Sequence, residues 1–450
     1  MKKIGMILFV AAFLLMALIP FVGLLIFGPA EAAANEILAQ PPSVTEEDGS
    51  FNTKVLNDAS DYLADRFYLR QELITLDAKL ESGVLGESAA GDVILGKEGW
   101  LYYATTLNDY RGQNLMTDRE IWAAAHTLAL MQEYAAQNGT RMLFVVVPNK
   151  NEVYPEYMPS WALRSGETGN RERLDAALEA AGVEYLDLLP VLEAEKPTAQ
   201  LYQCWDSHWN NLGAALAHDA IVQRLGKTDT AYDPAAFSRR RDHAADLYAM
   251  LYPAGTGLDV QLYPDREWDF EYKRPIRSPE DQRINTAGSR GEGSLLMFRD
   301  SFGNTLHTFM AESYADALFS RAMPYDLTML KPGTDDLVLE LVQRNLPWLA
   351  QRAPIMPAPV RDPDEILAGV AEPIAVQQTD AQNGMWRFTG AVPEADVNSP
   401  VYLMADGVFY EASPVGEEPG GFTAYLPGPA ADVSVIYLQE GHYMVSPCGE

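Results

Sequence analysis

From residue 4 to residue 30 the chain carries no charged side chain, and Lys2 and Lys3 stand directly before that run. A helix of about 20 apolar residues is enough to cross the hydrocarbon core of a bilayer, so this stretch is set apart before any residue is assigned to a soluble core. Lysines ahead of the span and Glu31 behind it place the N-terminus in the cytoplasm and the remaining chain outside. The alternative is a cleaved signal peptide, for which Ala30, Ala32, Ala33 and Ala34 supply the small residues. The apolar core of such a peptide runs to only about 7–15 residues, so a retained signal anchor over 1–30 is the favoured reading. Both readings export the protein.

Past this span, a chain of 450 residues has length enough for a large α/β domain and a small accessory one without disulfide support. Acidic residues outnumber basic ones 63 to 33, and a net charge of -30 repels a phosphate backbone, which argues against nucleic acid as a partner. The two cysteines, Cys204 and Cys448, form no CxxC pair and no Cys/His cluster with zinc spacing, so neither a structural metal nor any cofactor is expected. A single disulfide and two free thiols both fit that count.

Residues 31–95 divide into a polar spacer with Pro41 and Pro42, over 35–53, and a helical region in which Leu63, Phe67, Leu73, Leu76 and Leu80 recur at roughly helical spacing. From residue 96 to 352 short apolar runs alternate with amphipathic segments, the sequence form of βαβ units and a mainly parallel sheet. Strands are expected at 142–147, 184–188, 294–298, 317–320 and 337–342, with helices at 121–137, 171–181, 212–225 and 305–313. The alternation lapses over 227–293, an insertion with prolines, Gly255, Gly257 and a short helix near 244–251, which suits a lid or a substrate wall. A proline-rich linker over 353–360 leads to a small β-sandwich-like domain over 361–450. There Trp386, Tyr402, Tyr410 and Tyr437 are read as core residues before carbohydrate-stacking ones.

Two segments can carry chemistry. In Trp205-Asp206-Ser207-His208-Trp209-Asn210 an acid and an imidazole stand two apart, so that on an extended loop the carboxylate can fix the imidazole tautomer while the other ring nitrogen meets a nucleophile. Equally, Asp206 or Asn210 can cap the next helix. In Phe298-Arg299-Asp300-Ser301-Phe302-Gly303 a strand runs into a helix through a serine-bearing turn, which resembles a nucleophile elbow with helix N-terminal amides facing an oxyanion and Gly303 allowing close backbone approach. Asp300 or Ser301 as a plain cap is the competing account. A third strand ends in Pro148-Asn149-Lys150, where Asn149 can donate to an oxyanion and Lys150 can hold substrate, or both can simply form a turn. The remaining histidines have no such company: His126, His218 and His243 fall in helical stretches, His307 on a helix surface and His442 in the terminal β region.

Taken in order, these segments resemble the AlgJ/AlgX-like branch of the SGNH hydrolase superfamily, the alginate O-acetyltransferase family with its DHHW-type relatives. The resemblance spans about 55–349 and rests on Gly96-Lys97-Glu98-Gly99-Trp100-Leu101, Val147-Pro148-Asn149-Lys150, Asp206-Ser207-His208-Trp209-Asn210, Arg299-Asp300-Ser301-Phe302-Gly303 and Glu340-Leu341-Val342-Gln343-Arg344-Asn345. It implies a circularly permuted SGNH fold and a Ser301-His208-Asp206 triad that moves acetyl groups to polysaccharide hydroxyls outside the cytoplasm. It also implies Asn149 near the oxyanion and a separate membrane acyltransferase as donor. A deacetylase or esterase would use the same triad with water, and a polysaccharide-binding or assembly protein would carry it as a relict. Arg299 stands where the family's common block has glycine, which touches both the local turn and the charge met by a ligand.

Overall fold

The computed structural model describes residues 2–448 apart from 31, 33–37, 47, 167, 228–230, 363–368 and 382–383. Glu31, Ala33, Ala34 and the start of the expected spacer at Asn35 therefore lie outside the described residues. Helix α1 (Lys2–Phe27) includes a stretch, Ile4–Phe27, that is long and apolar enough to cross a membrane. Two shorter helices come after it, α2 (Val55–Arg66) and α3 (Arg70–Leu80).

The central element is a seven-stranded sheet. Its strands in chain order are β1 (Arg141–Val147), β2 (Tyr185–Asp187), β3 (Phe270–Tyr272), β4 (Arg283–Gly288), β5 (Ser294–Phe298), β6 (Asp316–Ser320) and β7 (Asp336–Val342). They lie in the order β2-β1-β7-β5-β6-β4-β3. The first five of that order are parallel, and β4 and β3 add an antiparallel edge. Period-two alternation accounts for the apolar runs: Leu143, Val145, Val147, Leu295 and Met297 enter one core, and Met142, Phe144, Val146, Leu296 and Phe298 enter the other. Both faces are covered by helices, α4 (Asp118–Gln137) against the second core, α5 (Asn211–Arg224) and α7 (Gly303–Glu312) against the first, with α6 (Asp246–Leu251) set between α5 and α7 in the chain. Helix α4 opens with a capping box, Thr117 and Glu120 each satisfying the other's backbone N–H.

The segment expected to be an irregular insertion is more integrated than that. It forms an antiparallel hairpin, Phe237–His243 against Asp259–Pro264, with α6 between the two strands in the chain, and then supplies β3 and β4 to the main sheet. Strand β3 is the edge of the sheet, and β4 beside it alternates buried and more exposed positions, so neither gives an apolar run to read.

C-terminal to the sheet, the 353–360 segment is tied down along its length, although Pro357 and Val360 are exposed. Met356 is buried in the second core, Ile355 donates its N–H to Tyr325 O at 2.8 Å, and Ala358 donates to Tyr425 O at 2.9 Å. Beyond them a six-stranded and a four-stranded sheet enclose a core that includes Phe388, Leu403, Phe422 and Val435. Tyr437 belongs to that core and Trp386 and Tyr410 pack on it, while Tyr402 is half-buried. This β-rich region meets the α/β region through polar contacts, among them the paired bonds of Arg361 to Glu133 at 2.6 Å and His126 Nε2 with Glu411 Oε1 at 2.8 Å.

Candidate active site

Because β1, β5 and β7 are parallel, the residues directly after them, 148–150, 299–303 and 343–345, emerge at one edge of the sheet. In open α/β sheets that carboxyl edge is where functional groups gather. The loop over 201–210 reaches the same edge. It is pinned by the Tyr202–Trp209 bridge, by Asn210 N–H on Leu201 O, and by the Trp209 indole, which donates to Phe302 O at 3.2 Å. That last bond ties the two sequence motifs directly together.

Asp206 and His208 are not arranged on an extended loop as expected. Asp206 Oδ1 accepts the backbone N–H of His208 at 3.0 Å, which folds the loop into a tight turn, and the same oxygen lies 2.6 Å from His208 Nδ1. His208 Nε2 lies 2.8 Å from Ser301 Oγ. Of the capping alternatives, the one at Asn210 holds. Asn210 caps α5 by accepting from Gly213 N–H, and no side chain caps α7, so neither Asp206 nor Ser301 is spent on a helix end.

The second oxygen of Asp206 is also filled, by His243 Nε2 at 2.9 Å and by the N–H of Asp246 at 3.0 Å. Asp246 in turn accepts from Ser207 Oγ and Ser207 N–H. These partners come from the 227–293 segment, and sequence patterns do not reveal them, because His243, expected in a helix, ends a strand at a bulge between Arg241 and His243. No local spacing joins position 243 to position 206. Burial alone would raise the Asp206 carboxyl, but the charge of His208 and the bonds from His208 and His243 outweigh it and hold it well below the usual carboxylate range. For His208 burial pulls the other way, and Asp206 and Asp246 win, so its imidazole is held above the ordinary value. The same balance raises His243.

The elbow is held from within the sheet. Asp300 Oδ1 accepts Phe302 N–H at 2.9 Å, and its Oδ2 accepts Val342 N–H at 2.8 Å and Asn345 Nδ2 at 3.2 Å. Glu340, wholly buried on β7, accepts Asp300 N–H at 3.1 Å; burial and the neighbouring Asp300 push its carboxyl well up.

Of the three expected ligand-binding residues, Arg299 lines the cavity beside Ser301, and Lys150 and Asn149 take other places. Lys150 does not face substrate: its buried ammonium donates to the carbonyls of Leu101, Cys204 and Asp206 at 2.7, 2.9 and 2.9 Å, and burial lowers its pKa to about 8. Asn149 is fully buried, with Nδ2 on Asp109 Oδ2 at 3.1 Å, and it does not line the cavity beside Ser301. Arg299 donates to Asn304 Oδ1 and to the carbonyls of Pro279 and Asp281, so it fastens the elbow to the inserted segment and does not block Ser301, which stays half-exposed. Gly303 is what permits this: a Cβ there would sit 2.5 Å from Arg299 Cβ. His307, expected on a helix surface, is buried between Asn304 O and Tyr272 OH. Cys204 and Cys448 are both free thiols.

Beside Ser301 opens a cavity of about 530 Å³ whose wall includes Arg321, Arg344 and Arg352. Arg344 lies over Phe302 and Tyr103, Arg352 over Trp348, and Arg321 donates to Glu280 O; among the described residues none of the three is paired with a carboxylate. The same wall also holds Arg299, Asp300 and Glu340, so cationic and acidic groups both border the cavity.

Residues 93–271 match the family model described as "SGNH hydrolase-like domain, acetyltransferase AlgX". Over that span, less than half of the chain, the protein is similar to an SGNH hydrolase-like domain. The matched span holds Asp206, His208 and His243 but ends before Ser301, which joins them in space. A protein of Pseudomonas syringae pv. tomato named "Probable alginate O-acetylase AlgJ" is 28% identical over 194 residues, which is 41% of this chain and 45% of that one. The chain thus spans less than half the length of that relative. Among solved structures, that of Bacillus cereus PatB1 with a sulfonyl adduct aligns over 57% of this chain and 96% of its own, at 17% identity and a TM-score of 0.44. The O-acetyltransferase domain of Pseudomonas putida AlgJ aligns over 57% and 92%, at 21% identity and a TM-score of 0.38.

Proposed function

We propose that this protein is an extracytoplasmic O-acetyltransferase, held by α1 in the cell membrane as a single-pass anchor, that moves acetyl groups onto hydroxyls of a cell-surface or secreted polysaccharide. The observation that carries the reading is the continuous chain Ser301 Oγ, His208, Asp206, with contacts of 2.8 and 2.6 Å. In this reading the catalytic unit is 96–352 with its insertion at 227–293, residues 31–95 are the spacer and helical stalk, 353–360 is the connection, and 361–450 is an accessory β domain.

Asp206 keeps the Nδ1 proton of His208 in place, so Nε2 is free to take the Ser301 proton as Oγ attacks the acetyl carbonyl. The amides of Ser301 and Gly303, which donate to no backbone carbonyl among the described residues, stabilise the oxyanion. His208 returns the proton to the leaving oxygen of the donor, leaving acetyl-Ser301. A sugar hydroxyl then loses its proton to Nε2, attacks the acetyl carbon and releases Ser301, which takes the proton back. No metal or cofactor enters these steps. The donor is supplied by a separate membrane acyltransferase, since among the described residues one helix is long and apolar enough to cross a bilayer, and a single span does not itself carry acyl groups across. The arginine-walled cavity fits an acceptor sugar that bears a carboxylate, in keeping with relatives named for alginate acetylation.

The test offers the full-length protein an activated acetyl ester with neutral and acidic polysaccharides, and tracks acetate and acetylated sugar by mass spectrometry. Transfer to sugar is expected, and Ser301→Ala and His208→Ala should each lower it by about 10³-fold or more, the scale of a lost nucleophile or base. Acetate without acetylated sugar would make the protein an esterase. Full activity in either variant would remove the triad, and glycan binding by a wholly inactive wild-type chain would make it a binding protein.

A further inference from the structure

Helix α3 is amphipathic the wrong way round for a helix in water. The side it turns to the folded domain carries small and polar residues: Thr75 accepts from Ala254 N–H at 2.8 Å, Ala78 is wholly buried, and Ser82, in the turn that continues the helix, meets Tyr252 OH at 2.8 Å. The opposite side carries Leu73, Leu76 and Leu80, which are 45%, 55% and 55% exposed, and the stripe runs on into Val84. At 100° per residue these four positions lie on one narrow strip, with Arg70, Asp77 and Glu81 along one margin and Glu72 and Lys79 along the other. An aqueous helix buries its leucines, and one lying at a bilayer surface presents them, bordered by charge.

The place of this strip in the fold names what covers it. Tyr68, in the corner between α2 and α3, donates its N–H to Pro20 O at 3.1 Å, and its ring stacks on Phe27 with centroids 4.9 Å apart. It also fills the space that a side chain at position 23 would need, since a Cβ on Gly23 would lie 2.3 Å from the ring. Gly23 is four residues from the end of the Ile4–Phe27 stretch, so at 1.5 Å per residue the corner meets the span about 6 Å inside its outer end. An aromatic ring at that depth sits where tyrosines anchor proteins to the membrane boundary.

We infer that α3 and the turn after it lie in the outer interface of the bilayer, with Leu73, Leu76, Leu80 and Val84 inserted among the lipids. The inference rests on α1 crossing that bilayer. It has a consequence for the site, because Ala78 shares a buried cluster with Leu247 and Leu251 of α6, the helix that begins at Asp246 and so bears on Ser207 and Asp206. The helix on the lipid is therefore also a support of the catalytic loop, and the cleft is carried at a fixed height over the membrane.

The test uses the full chain with Cys204→Ser and Cys448→Ser, reconstituted at one copy per nanodisc of phosphatidylcholine and phosphatidylglycerol. An environment-sensitive fluorophore is attached at Leu76→Cys, at Leu80→Cys, at Leu14→Cys within α1, or at Val397→Cys on the β domain. Emission at 14, 76 and 80 is expected to be lost to brominated lipid and spared by aqueous iodide, and emission at 397 to behave in reverse. If 14 is lost to bromolipid while 76 and 80 are lost to iodide, the interfacial placement is wrong and the span stands. If 76 and 80 are shielded from both quenchers, protein covers the strip, and the inference also fails. If 14 itself is untouched by bromolipid, the span reading falls, and the inference with it.

Discussion

Ser301 and His208 face each other across 2.8 Å, yet they are held in place by different kinds of structure. Ser301 comes after β5, whose residues Leu295 to Phe298 are buried on both faces of the sheet, and its turn is fixed by Asp300 bonding to the backbone of its own elbow and of β7. His208 lies on an irregular loop with no strand beneath it. Its position comes from discrete polar bonds, to Asp206 within the loop, and from Asp206 onward to Lys150 at β1's end and to His243 and Asp246 of the 227–293 segment. Ser301 is positioned by a buried strand together with elbow bonds to the sheet, and His208 by a hydrogen-bond network between loops. The first should fail through loss of stability and the second through loss of rate.

Two aspartates separate these modes most sharply. Asp206→Asn puts an amide where a carboxylate holds the Nδ1 proton, and kcat/KM should fall by about 10³–10⁴ while the fold persists, the magnitude expected for a triad acid whose geometry stays intact. Asp300→Asn instead turns one accepting oxygen into a donor facing the N–H of Val342 or Phe302. That leaves buried backbone groups unpaired at a cost of about 2–3 kcal/mol, read as a fall in Tm. If Asp300→Asn leaves Tm unchanged, the elbow is not held from the sheet as described. Lys150→Met should show both effects in milder form, because it strips the donors from three buried carbonyls, one of them Asp206's own. A loss of about 3 kcal/mol and a roughly tenfold lower kcat/KM are expected from thermal melts and initial rates. Unchanged rates would show that the loop keeps its shape without the lysine.

This contrast also explains what can be read in the sequence. The parallel strands are legible because both faces are buried, and 294–298 coincides with the observed β5. Asp206, His208 and Ser301 are legible as residue types at chemically sensible spacings. His243 and Asp246 are not, because nothing near them in sequence marks a bond to a carboxylate 37 or 40 positions away. Lys150 misleads for a related reason. A charged residue at a strand's carboxyl end suggests a ligand contact, and only the fold shows that backbone carbonyls use all its donors. Strands β3, at the sheet's edge, and β4 beside it escape because neither has an unbroken apolar run, and the spacing of the α3 leucines marks a helix without showing that they form its exposed side.

The smallest expected effect probes how the base is tuned. Asp206 is shared, Oδ1 with His208 and Oδ2 with His243, and both imidazoles are held above the ordinary value of about 6.5, with Asp246 and Asp259 adding to the field at His243. A raised histidine contributes stability below its unfolded pKa and loses it as pH rises through the folded one. Catalysis needs the neutral base, so kcat/KM should climb with pH to a plateau, with a midpoint above about 6.5. A charged His243 competes with His208 for the Asp206 carboxylate. His243→Gln keeps a donor but cannot be charged, so Asp206 acts on His208 alone and the midpoint should move to higher pH, with a modestly lower rate at pH 7 and an unchanged plateau. A purely structural His243 would lower the plateau and leave the midpoint where it is. The pH profiles of wild type and His243→Gln therefore decide whether the inserted segment only braces the catalytic loop or also sets the basicity of His208.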